Sequence, residues 1–148
     1  MQVRLKLNPD RQEPIRRELI DIGIEISDDA NLILTEEDYR EGEILCRKDE
    51  DRFRIPIDDI LYGESLNKEV WIIAEDQRYS TKLRLYELEK ILPSEKFIRI
   101  SNSVIISKNA IKKARPTLGQ KFYLTLRNGT VVDVTRSYYY RFKDYYGI

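Results

Sequence analysis

The sequence LYELEKILPSEKFIRISNSVIIS, residues 85–107, joins a helical pattern directly to two short strand patterns. Leucines spaced by three and four positions predict a short helix that ends at Pro93: Leu85, Leu88 and Leu92. The apolar runs 97–100 and 104–106 then predict two strands that flank the polar turn Ser101-Asn102-Ser103. A short helix that leads into a β-hairpin is therefore expected here.

Hairpin patterns account for most of the chain around this stretch. Asn128-Gly129 is a strong hairpin signal and lies between the strand patterns 121–127 and 130–135. A charged turn at 48–51 separates two further strand patterns, and the turn at 75–77 joins 70–74 to 78–81. The tail ends in tyrosines among basic residues, which we expect to pack on the sheet. The predicted class is α+β and mostly β, with an antiparallel domain over residues 42–148.

The first 41 residues carry a different pattern, typical of a small β-α-β-type unit. Residues 2–7 alternate as a strand does, and Pro14 suits the first turn of a helix. That helix would present one apolar stripe and end at Gly23; the stripe consists of Ile15, Leu19 and Ile22. Short strands are expected at 24–26 and 32–34. So small a unit buries little core, so it should pack on the rest of the chain or on a second copy.

The composition excludes several classes of chemistry. The 148-residue chain contains no histidine, which excludes histidine-dependent catalysis and histidine metal sites. Its one cysteine, Cys46, excludes an internal disulfide and indicates a reducing compartment. No apolar run is long enough for a membrane span or a signal peptide, so a cytoplasmic protein is expected. We expect neither an enzyme nor a cofactor.

Charge is distributed unevenly along a chain whose formal net charge is zero. Residues 1–41 carry 6 Lys/Arg against 11 Asp/Glu, a net of −5, whereas residues 96–148 carry 11 against 2, a net of +9. Five cations lie within 14 positions without an intervening acid: Lys108, Lys112, Lys113, Arg115 and Lys121. They could neutralise the phosphates of a nucleic acid or form a solvated basic face.

The order of these segments resembles the LytTR DNA-binding domain. The matching pieces begin with IDDILYGES, followed by an aromatic-containing strand, a turn and a strand. LYELEKILPSEKFIRISNSVIIS, NAIKKA, FYLTLRNGTVVDVTRSYY and a basic end then follow in order. The resemblance covers roughly residues 43–145. It implies a β domain of bacterial transcription regulators, in which loops enter two neighbouring major grooves and the minor groove between them.

The resemblance also implies roles for individual residues. Asn102 matches the DNA-facing polar position of the middle loop, and Arg136 matches the base-reaching arginine after the last strand. Lys68 matches a DNA-facing loop before the aromatic strand, while Arg99 and Ser103 match the frame of the middle loop. The chain departs from the pattern at Ser101, where the family often has histidine, and at Ser107, where it often has asparagine; the Ser101 hydroxyl could still bond a phosphate.

Simpler interpretations of the same residues stay open at this point. Arg136 could be an exposed arginine that caps a strand end, and Asn102 could be a turn residue with positive φ. The domain could also be a protein-interaction module of the same fold, or a binder of single-stranded nucleic acid through its tail tyrosines.

The favoured interpretation is a stand-alone regulator without a receiver domain, which binds duplex DNA at two repeated half-sites. Residues 1–41 would then be a regulatory or dimerisation unit, and a homodimer is expected. A membrane-protein partner is implied by the resemblance alone.

Overall fold

The computed structural model describes residues 1–37, 39 and 42–148, and it begins with a small parallel sheet. Strand β1 lies at the centre, with β2 and β3 paired parallel to it on either side. The elements of this N-terminal unit are β1 (Gln2–Lys6), helix α1 (Pro9–Asp21), β2 (Glu25–Ile26) and β3 (Leu32–Thr35). The predicted β-α-β-type unit is therefore present. The predicted domain boundary between residues 41 and 42 falls partly outside the described residues.

Helix α1 differs from the prediction at its start. It begins at Pro9 and has Pro14 in its interior rather than in its first turn. Pro9 supplies the fixed φ that favours the first helical position, so the helix starts five residues earlier than Pro14. Gly23, at φ +89°, follows the C-cap as predicted. The expected apolar stripe is incomplete, because Ile22 is 72% exposed.

A seven-stranded antiparallel sheet forms the centre of the chain. Its strand order is β5-β4-β8-β7-β6-β10-β9. The strands are β4 (Glu43–Lys48), β5 (Asp51–Pro56), β6 (Tyr62–Leu66), β7 (Glu69–Ala74), β8 (Gln77–Thr81), β9 (Phe97–Arg99) and β10 (Val104–Ser107). The β4–β5, β7–β8 and β9–β10 hairpins were predicted from their turns, whereas the β6–β7 hairpin was not. The mostly β class is confirmed.

Helix α2 (Leu85–Ile91) covers one face of this sheet. Its Leu88 is fully buried among aliphatic side chains of the sheet, and the helix stops before Pro93 as predicted. Gly63 on β6 lets the helix approach closely, because an added Cβ would lie 2.6 Å from Cδ2 of Leu88. Cys46 is buried in the same core, which raises the pKa of its thiol to about 12. The thiol is therefore protonated and unreactive in the folded protein.

A second sheet and a C-terminal helix cover the other face. The sheet order is β11-β12-β13, formed by β11 (Ile111–Pro116), β12 (Phe122–Leu126) and β13 (Val131–Val134). Helix α3 (Tyr139–Tyr146) places the fully buried Phe142 against Phe122, with ring centroids 5.2 Å apart. The β12–β13 hairpin was predicted. Strand β11 and helix α3 were not predicted. The aromatic residues of the tail were expected to pack on the sheet, and they do.

We predict that Gly63→Ala destabilises the protein by about 1–3 kcal/mol, because the methyl group would force Leu88 to move in a packed core. Urea unfolding measures the change. Gly119→Ala is the matched control, since nothing lies within 4 Å of its added Cβ. Equal costs for the two substitutions, or an unchanged cost of Gly63→Ala in a Leu88→Ala background, would contradict this packing argument.

Candidate nucleic-acid interface

Three connecting segments meet at one end of the two sheets, here called the loop end. They are the β6–β7 turn, the 100–103 loop between β9 and β10, and the segment after β13. The Ser65 amide donates to the carbonyl of Ser103 at 2.8 Å. The Thr135 amide donates to the carbonyl of Ile100 at 3.0 Å. The 100–103 loop is the middle loop of the three, and it is hydrogen-bonded to the segment on each side of it. Three segments that are distant in sequence therefore form one continuous surface.

The middle loop is braced from within by residues that the resemblance placed in its frame. The Arg99 guanidinium donates to the carbonyls of Ser101 and Asn102, at 3.0 and 2.5 Å. The Ser101 side chain is buried, and its hydroxyl accepts a hydrogen bond from the Ser103 amide at 3.2 Å. Arg99 and Ser101 therefore shape the loop within the chain, which differs from the expected phosphate contact by Ser101.

Asn102 is the exposed residue of this loop, and Tyr138 orients it. The Tyr138 hydroxyl donates to Oδ1 of Asn102 at 3.2 Å. This bond leaves the side-chain NH₂ of Asn102 as a donor toward solvent, suited to acceptors on base edges. Asn102 is not among the described residues with positive φ, so the alternative of a left-handed turn residue is wrong.

Lys68 lies at the loop end in a two-residue turn of unusual geometry. Asn67 and Lys68 have φ values of +52° and +67°, the left-handed conformation of a tight hairpin turn. A lysine in this conformation is strained relative to glycine, and such strain clusters at functional positions. Lys68 is exposed in this turn.

The other predicted cations are divided between the two ends of the C-terminal sheet. Arg136 is exposed in a single helical turn after β13. Phe122 pairs with Val134, so Lys121, which immediately precedes Phe122, lies beside this turn. Arg115 pairs with Tyr123 near this end. Lys108 and Lys112 lie at the opposite end of the sheet, where the Arg127 amide donates to the carbonyl of Ala110. Lys113 lies between the two ends.

The remaining aromatic residues have partners within the chain. The Trp71 ring is covered by the Arg78 guanidinium at 3.9 Å, and Tyr139 stacks on Phe122 at 4.9 Å. The Tyr145 hydroxyl donates to the carbonyl of Glu95, and burial, followed by the charge of Glu95, raises the pKa of this tyrosine. The tail tyrosines therefore do not form an open stacking platform among the described residues.

Sequence reasoning missed the role of Tyr138, because its hydrogen bond joins residues 36 positions apart. The resemblance placed Arg99 in the loop frame but did not identify the Ser101 and Asn102 carbonyls that it holds. The signal for Tyr138 was a tyrosine near polar residues, a pattern too common to be diagnostic.

The fold and these loops define a class: a β domain that presents polar and basic loops, rather than a helix, at one end. The chain belongs to the LytTr DNA-binding domain family, whose sequence model matches residues 50–147. No helix in the described residues is both long and apolar enough to cross a membrane.

A solved structure supports this assignment. The chain is similar to a LytTr DNA-binding domain from Bacillus cereus, with a TM-score of 0.70 and 28% sequence identity. The match covers 74% of this chain and 100% of the Bacillus chain. The predicted LytTR-like architecture is therefore confirmed.

Curated relatives match a shorter stretch. The chain is 49% identical over 59 residues to a protein of Staphylococcus aureus strain bovine RF122 / ET3-1 named an uncharacterized HTH-type transcriptional regulator. It is 48% identical over 59 residues to a protein of the same description from strain COL. Each match covers 40% of this chain and 40% of the relative. In the described part of this chain, α2 and α3 are separated by five strands and form no helix-turn-helix pair.

We predict that Tyr138→Phe increases the mobility of the Asn102 side chain, because it removes the donor that holds Oδ1. NMR relaxation of the Asn102 NH₂ group measures this change. Loss of one such bond, worth about 0.5–1.5 kcal/mol, should weaken duplex binding about 2- to 10-fold. Tyr140→Phe is the control, since that hydroxyl accepts from Gln120 instead. An Asn102 signal unchanged by Tyr138→Phe would show that the bond does not orient the side chain.

Proposed function

We propose that the protein is a sequence-specific regulator of transcription that binds duplex DNA in the cytoplasm of a bacterium. The observation that carries the proposal is that three loops are hydrogen-bonded to one another at one end of a rigid β domain. Lys68, Asn102 and Arg136 are exposed on these loops. The family to which the chain belongs is one of DNA-binding domains.

The exposed residues divide into two kinds of contact. Arg136 can donate two hydrogen bonds to O6 and N7 of a guanine, and Asn102 can donate to an adenine in the major groove or to acceptors in the minor groove. Lys68, Lys121 and Arg115 would bind phosphates and so position the domain. The Ser103 carbonyl accepts from the Ser65 amide, while the Arg99 guanidinium and the Ser101 hydroxyl brace the loop from within.

Lys108, Lys112 and Lys113 extend the basic surface away from the loop end. The six residues of β11 span about 20 Å, at about 3.3 Å per residue. A duplex carries one phosphate charge per about 1.7 Å of its axis, so a duplex whose axis follows β11 would present phosphates over this whole distance. We therefore assign the three lysines to flanking phosphate contacts.

Two other functions receive less support. A single-strand binder would need exposed tyrosines, whereas Tyr139, Tyr145 and Tyr146 pack against the second core. A protein-interaction module without DNA binding would not bring the basic residues 108–121 together with Asn102 and Arg136, whereas Arg115 and Lys121 of this set lie at their end. The family is not one of enzymes, and we propose no catalytic role.

Residues 1–41 are proposed as the pairing unit of a homodimer on paired half-sites. Leu32, Ile33 and Leu34 of β3 are 54%, 44% and 38% exposed, and β3 is an edge strand of its sheet. Such an edge offers unpaired backbone groups and apolar side chains to a second strand. The net charge of −5 over residues 1–41 favours a surface turned away from phosphate.

We predict that in vitro selection on duplex DNA recovers a defined site with strong salt dependence. About six phosphate contacts per protomer would give a log–log slope near −5. Fluorescence anisotropy over a series of KCl concentrations measures the slope. Recovery of no preferred duplex, or a binding constant insensitive to salt, would refute the proposal.

Arg136→Ala should relax the preference at one base position and weaken binding to the best site by about 1–3 kcal/mol. Arg127→Ala is the matched control, since the Arg127 guanidinium is already paired with Glu75 at 2.9 Å. Lys112→Ala should weaken all sequences about equally and reduce the salt slope by about one unit. Uniform effects of Arg136→Ala across sequences would assign it to a phosphate instead.

Ile33→Lys should abolish pairing, because it places a charge on the exposed side of β3. Sedimentation equilibrium measures the association state, and titration on single and paired half-sites measures the loss of the paired-site advantage. Ile148→Lys is the control, since Ile148 is 51% exposed at the C-terminus, away from β3. An unchanged association state in Ile33→Lys would exclude pairing through this edge.

A further inference from the structure

A depression beside the loop end is lined by four cationic side chains from four different segments. Arg47 comes from β4, Lys68 from the β6–β7 turn, and Lys82 and Arg84 from the connection that leads to α2. This site, here called the Arg47 depression, also contains the hydroxyls of Ser80 and Thr81. All four cations are exposed.

Backbone pairing and one buried side chain hold these segments in place. Arg47 pairs with Ser80, whose hydroxyl donates to the Arg47 carbonyl at 3.4 Å. The Leu83 amide donates to Oγ1 of Thr81 at 3.2 Å, and the Leu83 side chain is buried in the core under α2. Lys82 therefore projects from a connection that is anchored immediately after it.

The electrostatics of the depression are unbalanced. Its lining contains one carboxylate, Glu69, against four cations. None of the four forms an ion pair with a described residue, whereas other exposed cations do. Such pairs include Arg11–Glu36 at 2.7 Å, Lys96–Asp58 at 3.3 Å and Arg127–Glu75 at 2.9 Å. Cations held together without counter-charges favour an external anion.

We propose that the Arg47 depression binds phosphates of the DNA backbone beside the segment that the loops read. This inference rests on the proposed function and extends it, because Arg47 lies outside the matched residues 50–147. Lys68 belongs both to the loop end and to the depression, so one strand of a duplex passes from the first to the second without leaving basic surface.

The shape of the depression fits a polyanion better than an enclosed small molecule. It is open to solvent, and its charged walls come from exposed side chains rather than from a buried cradle. Arginine pairs with phosphate through two N–H groups, whereas lysine acts as a point charge. A mixture of both tolerates the variable position of a backbone phosphate, which a sequence-independent contact requires.

The test compares Arg47→Gln/Lys82→Gln with Arg17→Gln/Lys90→Gln in the full chain. Both double variants remove two positive charges, and Arg17 and Lys90 line a separate groove between α1 and α2. The probe is a 30-base-pair duplex of mixed sequence, titrated over a series of KCl concentrations, together with the site recovered by selection. Arg84 is left unchanged because it precedes the first turn of α2.

We expect Arg47→Gln/Lys82→Gln to lower the magnitude of the salt slope by about two units on every duplex, with the ratio between selected and mixed sequence unchanged. The control pair should keep the wild-type slope, and Arg47→Lys/Lys82→Arg should restore it. A wild-type slope in Arg47→Gln/Lys82→Gln, or an equal loss in the control pair, overturns the inference.

Two further outcomes distinguish failure of the proposed function from failure of this inference alone. If the wild-type protein binds no duplex, the proposed function is overturned and this inference with it. Equilibrium dialysis with inorganic phosphate distinguishes the other source of the anion: loss of phosphate binding in Arg47→Gln/Lys82→Gln with an unchanged DNA slope would assign the depression to a free phosphate and overturn the backbone contact.

Discussion

The structure depends on the burial of both faces of the middle strands of the seven-stranded sheet. Along β10, Val104 and Ile106 belong to the core beneath the second sheet, while Ile105 between them belongs to the core beneath α2. A strand buried on both faces cannot slip by one residue, because a slip would exchange the two sets of side chains between the cores. The register of β9, β10 and β6 is therefore fixed by packing on both faces. The position of the 100–103 loop, which joins β9 to β10, is fixed with it.

This rigidity is what makes the loop end suited to recognition. The 100–103 loop is short, is bonded to its neighbours by the Ser65 and Thr135 amides, and has its carbonyls held by Arg99. Side chains held in this way lose little conformational freedom on binding, so more of their interaction energy appears as affinity. Asn102 is the clearest case, since the Tyr138 hydroxyl donates to its Oδ1 and leaves its NH₂ group free to bind a partner.

Much of this could be predicted from the sequence, wherever the signal is local. The Asn128-Gly129 turn, the leucine spacing of α2 and the β-α-β-type N-terminal unit each depend on a few neighbouring residues. Strand β11 was missed because its register shifts between Ile111 and Lys113, which breaks the alternation that indicates a strand. Helix α3 was missed because its aromatic residues have modest helix propensity, and only packing on Phe122 selects the helical conformation. The brace of Asn102 and the convergence of the Arg47 depression join segments far apart in sequence, which no local pattern reports.

The separation of charge along the chain acquires a spatial meaning in the fold. Phosphate contacts supply affinity without regard to sequence, so a surface with many of them binds all DNA unless a few residues discriminate between bases. Here the cations are spread along β11, at the loop end and around the Arg47 depression, whereas the groups suited to base edges, Asn102 and Arg136, are concentrated between them. The broad basic surface would hold a duplex in one orientation, and the rigid centre would then test a short sequence. Because the phosphate contribution is screened by salt and the base contacts much less so, the proposed arrangement would give a protein whose selectivity between sequences is retained while its affinity falls as ionic strength rises.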